Sequence, residues 1–548
     1  MINGTLFRDS ILSAGHNLMN RKQRIDELNV FPVPDGDTGT NMSMTMSAGL
    51  RELEMMASEG VETMSKALAS ALLRGARGNS GVILSLLFRG IAKGLQDKET
   101  ASNQELAEAL EMGVEAAYKA VMKPTEGTIL TVARLSAQKA KEIAGEIEDL
   151  PVFWEAVCGA CKEALENTPN QLEALRKAGV VDAGGMGLYV IFTGMLHFFQ
   201  TGEILPLKEE ERVVTLDNFK DAAAEYDGEI TFTYCTEFIV MKDDPAPRAE
   251  DAKAYLSTIG DSLVVVEDDD ILKVHVHTDN PGNALQKGLS YGSLTNMKIE
   301  NMREQHANKK KAAKKREGEQ FSYRPVDPSI EYGFVAVSAG AGLQALFKEL
   351  GVEHVVSGGQ TMNPSTDDIL RAIEATPAKN VFVLPNNKNI IMAAEQAADM
   401  TDRGVTVLQT RTIPQGISAL LAFDPEGALE ENRLNMTRAL DAVSTGQITF
   451  AARDSQFDGH KIREGEILAL ENGKISFTEK DLVKAAYKLT KSMLKKESSF
   501  VTVYYGEDIT NEQKEQVEKL LTDKLGDDLD LNFVEGGQPV YYLIISVE

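Results

Sequence analysis

Residues 29–46 read NVFPVPDGDTGTNMSMTM, and this stretch decides how the first third of the chain folds. Pro32 and Pro34 fix φ and lack amide donors, so a regular helix cannot run through them and Asp35 and Asp37 are set in a rigid turn. Thr38, Gly39, Thr40 and Asn41 then lead into a helix rich in Met and Ser. Two carboxylates one residue apart, beside free helix N-terminal amides, suit a divalent metal and a phosphate together. An EF-hand does not fit, because the glycine falls one place early and the twelfth position is Met46 instead of Glu. The plain alternative is an Asp-Gly turn with a helix cap. On this stretch alone the two readings stand level.

Three more loops share the pattern. GARGNSG (75–81) runs into VILSLLFRG, with Asn79 or Ser80 as the expected cap; KPTEGT (123–128) runs into ILTVARL; VVDAGGMG (180–187) runs into LYVIFTGML. Four glycine-bearing loops thus each open an apolar helix. If those helices form an up-and-down bundle, one end gathers several N-termini, which suits a polyphosphate. No Walker GxxxxGK[ST] occurs and no GxGxxG follows a strand here, so a nucleotide site would be of another type.

Around these loops, residues 1–200 read as all-helical: 63–74, 82–95, 103–121 and 129–147 carry apolar residues at three- and four-residue spacing. From about 229 the texture changes. EITFTYCTEFIVM, DSLVVVEDD and DILKVHVHTD are short, β-branched and broken by turn residues, so 201–305 is expected to be an α+β domain. The run NKKKAAKKREGEQ marks a basic linker over 306–330. From 331 to 548, YGFVAVS, HVVSGG, NVFVLP and GVTVLQ alternate with helical stretches, which predicts a parallel, doubly wound α/β sheet. A further α/β segment closes the chain with the strand PVYYLIISVE.

A chain of 548 residues has room for three or four such units. With 83 Asp and Glu against 57 Lys and Arg, the net charge is −26, which disfavours nucleic acid and anionic lipid surfaces as partners. The start, MINGTLFRDS, is not expected to be a signal peptide, and the apolar stretch 184–199 is too short and too glycine-rich to span a membrane. Three cysteines cannot build a disulfide framework and fit a reducing, cytoplasmic setting.

The first 200 residues resemble the nucleotide-binding, DhaL-type domain of dihydroxyacetone kinases, through Asp35–Gly39, Gly78–Gly81 and Asp182–Gly185. The chain as a whole resembles the ATP-binding subunit of bacterial fatty acid kinase: PVPDGDTGTNM, GARGNSGVILS, KPTEGTILTVA, YCTE, KVHVHTD, NMREQH, SGGQTMNPST and LPNNKN occur in that order. The resemblance implies an eight-helix barrel that holds ATP or ADP through two Mg²⁺ ions. Asp35 and Asp37 would be metal ligands. Thr38, Gly39, Thr40, Asn41, Asn79, Ser80, Gly127, Thr128, Asp182 and Gly184 would surround the nucleotide. Dihydroxyacetone kinases place a third aspartate five residues before the first of the pair, where this chain has Val30; Asn29 is the candidate substitute.

In DILKVHVHTD a period of two sets Leu272, Val274 and Val276 on one strand face and His275 and His277 on the other. With Cys235 from TFTYCTEF these make a three-ligand zinc set with an open fourth position. A solvated strand face with a buried cysteine remains open on the residues alone. The resemblance favours Cys235, His275 and His277 as zinc ligands and catalytic candidates, since they fall in its YCTE and HVH motifs. Cys158 and Cys161, in CGAC on a helix, are expected to pack as small apolar groups, and Trp154 as core.

Kinase chemistry of this kind requires positioning and charge neutralisation. A carboxylate acceptor is already ionised at neutral pH and needs no general base. The resemblance implies phosphorylation of a fatty acid carboxylate to an acyl phosphate, the acid being held by a separate DegV-type fatty-acid-binding protein, and a homodimer is expected. A triose kinase and a nucleotide-sensing adaptor are the rival readings; against the first, the 331–548 region has only His354 and His460 to capture a triose. Small-residue loops there, with Ser357, Gly358, Gly359, Thr361 and Asn363, suit a ligand at the strand ends. The resemblance instead makes this DegV-like region a docking surface for the carrier.

Overall fold

The computed structural model describes residues 1–29, 37–56, 60–121, 123–208, 233–244, 246, 248–267, 271–301, 321–359, 362–451, 455–457, 460–526 and 529–548. It divides into two compact units, one of residues 1–212 with 321–548 and one of residues 213–320.

Eight helices of 15 to 19 residues dominate the described part of residues 1–201: α1 (Gly4–Met19), α2 (Thr38–Met55), α3 (Val61–Gly75), α4 (Gly78–Gly94), α5 (Asn103–Ala120), α6 (Ile129–Ile143), α7 (Leu150–Glu166) and α8 (Ala183–Thr201). Each packs on the next in chain order, and α8 returns to α1, so the ring closes. The sequence dictates the starts. Asn3 caps α1 by accepting from the Leu6 amide at 2.9 Å. Ser102 and Glu105 form a capping box on α5, and Asp149 caps α7 ahead of Pro151. The inward stripes follow helical spacing: Met42, Met46, Leu50 and Leu53 of α2 are all buried. Burying each such side chain contributes about 1.5–3 kcal/mol. Where the ring closes, a Cβ on Gly194 would lie 2.6 Å from Ala14 Cα, so the α1–α8 backbones can meet only because position 194 is glycine.

In the second unit β1 (Tyr234–Lys242), β2 (Gly260–Glu267), β3 (Ile271–Thr278) and β4 (Gly292–Asn301) form an antiparallel sheet in the order β2-β3-β1-β4. Phe238, Val240, Leu272, Val274 and Val276 are buried on one face, under α9 (Ala249–Leu256) and α10 (Pro281–Leu289). This is the period-two pattern expected of DILKVHVHTD.

From 321 onward the chain is α/β. Strands β5 (Tyr332–Ser338), β6 (His354–Ser357), β7 (Asn380–Leu384) and β8 (Gly404–Val407) are parallel in the order β6-β5-β7-β8, with α11 (Ala341–Glu349), α12 (Thr366–Ala375) and α13 (Ile391–Met400) between them. The arrangement is doubly wound. Beyond it lies a second, six-stranded mixed sheet. Its strands β9 (Ser444–Phe450), β10 (Ile467–Glu471), β11 (Lys474–Glu479), β12 (Phe500–Gly506), β13 (Asp530–Gln538) and β14 (Leu543–Val547) run in the order β11-β10-β9-β14-β12-β13. The hairpin β10–β11 turns on Asn472 and Gly473, at φ 49° and φ 78°. Two left-handed residues in a row are the usual two-residue hairpin solution. That signal stands in the sequence as ENGK.

The α/β part and the helical ring share one continuous apolar core, in which Val335, Ile369, Val383 and Ala393 join residues of the ring. Helix α13 packs on α4, and α12 packs on α3. Most of the expected basic linker, 306–320, lies outside the described residues. Its end, from 321, runs along the α/β part, where the Arg324 amide donates to Glu374 O and the Asp327 amide to Pro377 O.

Candidate functional site

The four loops singled out above open α2, α4, α6 and α8. Their ends converge on a cavity of about 320 Å³. Asn29, Asp37, Thr38, Asn41, Asn79, Ser80, Thr128, Asp182 and Gly184 line it. Asp35 lies outside the described residues. Convergence of several helix N-termini provides unpaired amides and a positive end to each helix dipole.

Each loop makes its own arrangement. Asp37 precedes the first turn of α2 and is 9% exposed. Gly39 and Thr40 use their amides elsewhere: the Thr40 amide and hydroxyl donate to the Asp26 carboxylate at 3.0 and 2.8 Å, and Gly39 also bonds it. A Cβ on Gly39 would collide with Lys22 O, so this close approach requires glycine. Burial raises the Asp26 pKa against the pull of these bonds. Thr38 and Asn41 face the cavity while Gly39 and Thr40 anchor the turn.

At the second loop the helix begins at Gly78, with Arg77 as N-cap, ahead of the expected cap at Asn79 or Ser80. The reason is Gly78 itself, at φ 58°. Its left-handed backbone supplies the sharp turn that a side-chain cap would otherwise mark. Asn79 and Ser80 are thereby left on the first turn. Gly127, at φ 80°, donates its amide to Thr131 Oγ1 at 2.9 Å and sets Thr128 at the start of α6. At the last loop, Asp182 caps α8 by accepting from the Gly185 amide at 2.7 Å, and it also bonds the Ile129 amide of α6. Burial pushes its pKa up to about 6, the amides opposing.

Several residues at or beside the cavity carry no sequence signal that would place them there. Lys123, in KPTEGT, lines the cavity and brings a cation to it. Asn389 and Met392 come from the α/β part, just after LPNN. Asn363, 1% exposed, donates its side-chain amide to Asp37 Oδ2 at 2.5 Å. The sequence places it at the strand ends of the α/β part; the structure places it on the helical site. Asp26 carries no motif, and only the folded turn reveals it.

The donor chemistry fits a hydrated divalent cation and a phosphate chain. Asp37 supplies a carboxylate, Lys123 a cation, and the buried amide oxygen Asn79 Oδ1 has no hydrogen-bond partner among the described residues.

The other candidates fall elsewhere. In the second unit the antiparallel register sets Cys235 across from His277 and Glu237 across from His275, so these residues belong to one sheet face. Their side chains lie outside the described residues, among which no group of three or more His, Cys, Asp or Glu could hold a metal. Cys158 and Cys161 are buried free thiols, the latter pushed to about 12 by burial, and the Trp154 indole donates to Phe192 O at 3.0 Å within the ring core. At the carboxyl ends of β5–β7, Ser338, Gly358, Gly359 and Asn386 enclose only about 20 Å³. That is space on the scale of one water. Ser357 accepts from Gln344 at 3.3 Å, and Thr361 lies outside the described residues. No helix among the described residues is long and apolar enough to cross a membrane.

Fold and site together define a multidomain protein with a helical N-terminal domain, an α+β middle domain and a C-terminal α/β region. Family models match in three consecutive blocks: a DAK2 domain over residues 32–197, the FakA-like middle domain of fatty acid kinase over 231–309, and the FakA-like C-terminal domain over 333–548. Protein YloV of Bacillus subtilis (strain 168) is 42% identical over 554 residues, covering 100% of this chain and 99% of that protein. The chain belongs to the FakA-like family and carries the domains of a kinase subunit of the fatty acid kinase and dihydroxyacetone kinase type. Among solved structures, a DegV family protein from Corynebacterium glutamicum matches 40% of this chain and 97% of its own, at 17% identity and a TM-score of 0.32. The dihydroxyacetone kinase of C. freundii in complex with AMP-PNP and Mg²⁺ matches 35% of this chain and 34% of its own, at 17% identity and a TM-score of 0.29.

Proposed function

We propose that this protein transfers the γ-phosphoryl group of ATP to the carboxylate of a fatty acid presented by a separate DegV-type carrier, giving acyl phosphate and ADP. The observation that carries the reading is the cavity of about 320 Å³ at the openings of α2, α4, α6 and α8, with Asp37 in its wall. On this reading the closed helical ring is the eight-helix barrel of the dihydroxyacetone kinase type, residues 1–200 are the nucleotide domain, and 331–548 is the docking region. The α/β strand ends enclose about 20 Å³. Ligand pockets are many times larger, so there is little space for an acyl chain, which favours docking over an internal lipid site.

The roles follow from the side chains. Asp37, with Asp35 and Asn29 as further candidates, would hold Mg²⁺, which when bound neutralises charge on the β- and γ-phosphate oxygens. The amides and hydroxyls of Thr38, Ser80 and Thr128, with Asn41 and Asn79, orient the phosphate chain. Lys123 offsets its charge. The acceptor carboxylate is ionised at neutral pH and attacks without a protein base. This accords with the lack of any histidine among the described residues lining the cavity. Cys235, His275 and His277 are proposed to hold zinc in the middle domain, resting on their shared sheet face and their motifs.

The test is ADP release by the purified chain with Mg·ATP, alone, with a fatty-acid-loaded carrier, and with dihydroxyacetone. Release that depends on the loaded carrier supports the reading. Release with dihydroxyacetone alone makes the acceptor a triose, and nucleotide binding without turnover in any arm makes the protein a sensor.

A further inference from the structure

The segment 362–366 of the α/β part lies against the second phosphate loop of the helical ring. The Thr366 amide donates to Ala76 O at 3.0 Å, Arg77 and Ser365 form an antiparallel bridge, and Arg77 Nη1 donates to Asn363 O at 2.7 Å. These contacts fix the backbone of Asn363, and the Ser365–Asp368 capping box fixes the helix start behind it. From that anchor the Asn363 side-chain amide reaches Asp37 Oδ2 at 2.5 Å and Asn41 Oδ1 at 3.5 Å. Gly78 leaves the space: a Cβ there would lie 2.5 Å from Asn41 Nδ2 and 3.3 Å from Asn363 Nδ2. Asn363 is absent from the cavity wall, while Asp37 is in it. The amide therefore stands behind the carboxylate.

We propose that Asn363 is a positioning residue for the divalent-cation site, so that the nucleotide site of the helical ring is completed by the α/β part of the same chain. The inference rests on the nucleotide and metal reading given above. A carboxylate that accepts a hydrogen bond from a fixed amide is held in one orientation, and such outer partners of metal ligands typically govern affinity roughly 10–100-fold. Asn363 Oδ1 is buried and without a partner among the described residues, so the side chain is oriented through its donor end, toward the carboxylate. Seating of the 362–366 segment and cation affinity at Asp37 become thermodynamically linked, so whatever displaces the one weakens the other.

The experiment uses the full-length chain and Mn²⁺ as the probe, with bound metal read by electron paramagnetic resonance in the presence of ADP, and ADP affinity in EDTA read by calorimetry. Asn363→Ala is expected to weaken Mn²⁺ binding roughly 10–100-fold while leaving metal-free ADP affinity within about 2-fold of wild type. Asn363→Leu keeps the volume and removes the donor, and gives the same readout if the alanine variant folds poorly. Unchanged Mn²⁺ affinity in a folded variant overturns the proposal, and so does tighter binding, which would make Asn363 a competitor for Asp37. A wild-type chain that binds neither Mn²⁺ nor ADP overturns the functional reading as well, and so separates the two failures.

Discussion

Asn363 donates its side-chain amide to Asp37 Oδ2 at 2.5 Å, joining two residues 326 positions apart in sequence. The DGDTG-loop carboxylate proposed as a metal ligand is thus already held by a loop of the C-terminal half. Consequences for mutants follow from what each bond supports.

Asp37→Ala is expected to lower phosphoryl transfer by roughly 10²-fold or more, through loss of metal. It also leaves the Asn363 amide buried without its acceptor, which costs about 1–3 kcal/mol. Turnover with Mg·ATP and a thermal melt check both effects. Asp37→Asn should recover much of the stability and little of the activity. Near-normal turnover in either variant would remove the metal role.

Asp182 makes stability depend on pH in a direction opposite to a paired surface carboxylate. Its folded-state pKa, about 6, lies above the ordinary value of 3.8 because burial disfavours the charge. The folded protein therefore holds this proton more tightly than the unfolded chain. Stability rises as pH falls from about 6 toward about 4 and is lost as pH rises through that window, by at most roughly 3 kcal/mol. Asp182→Asn keeps an acceptor for the Gly185 amide and removes the titration. Melting curves on both sides of that window should show the wild type losing ground to the variant as pH rises, and a constant difference would contradict the assignment.

Gly78→Ala introduces a side chain at φ 58° and drives a Cβ to 2.5 Å from Asn41 Nδ2. The left-handed conformation alone costs an L-residue about 1–2 kcal/mol. A lower melting temperature together with weaker Mn²⁺ binding is expected. Loss of stability alone would mean that Asn41 and Asn363 can shift without consequence for the site.

A fragment of residues 1–200 is expected to bind Mg·ADP more weakly than the full chain, because Asn363, Asn389 and Met392 are missing from its site. It should not phosphorylate fatty acid at all. Calorimetry of fragment and full chain side by side decides the first point, and equal affinity would return the nucleotide site wholly to the helical part.

In the middle domain, metal analysis should find about one zinc per chain, lost in Cys235→Ala, His275→Ala or His277→Ala. The register across β1 and β3 brings the three positions to one face, which is the basis of the expectation. Fully active preparations free of zinc would leave these residues as an ordinary strand face.

The sequence by itself determined what is local. Glycine and proline placed the loops, apolar spacing placed several helices of the ring and the strands of the middle and the parallel sheets, and period two put Leu272, Val274 and Val276 on the buried face. The four glycine-bearing loops that open helices were legible because turn chemistry and helix starts depend on a few neighbouring residues. The tertiary structure decided the rest. Closure of α8 onto α1 depends on Gly194 meeting Ala14, two positions whose proximity no local pattern encodes. Asp26 takes the Thr40 amide, Asn363 leaves the expected strand-end site for Asp37, and Asn389 and Met392 line a cavity in the other half of the chain. Side-chain type and spacing fix the conformation of a segment; which segments meet is set by the packing of surfaces distant in sequence, where burial and shape must agree at once.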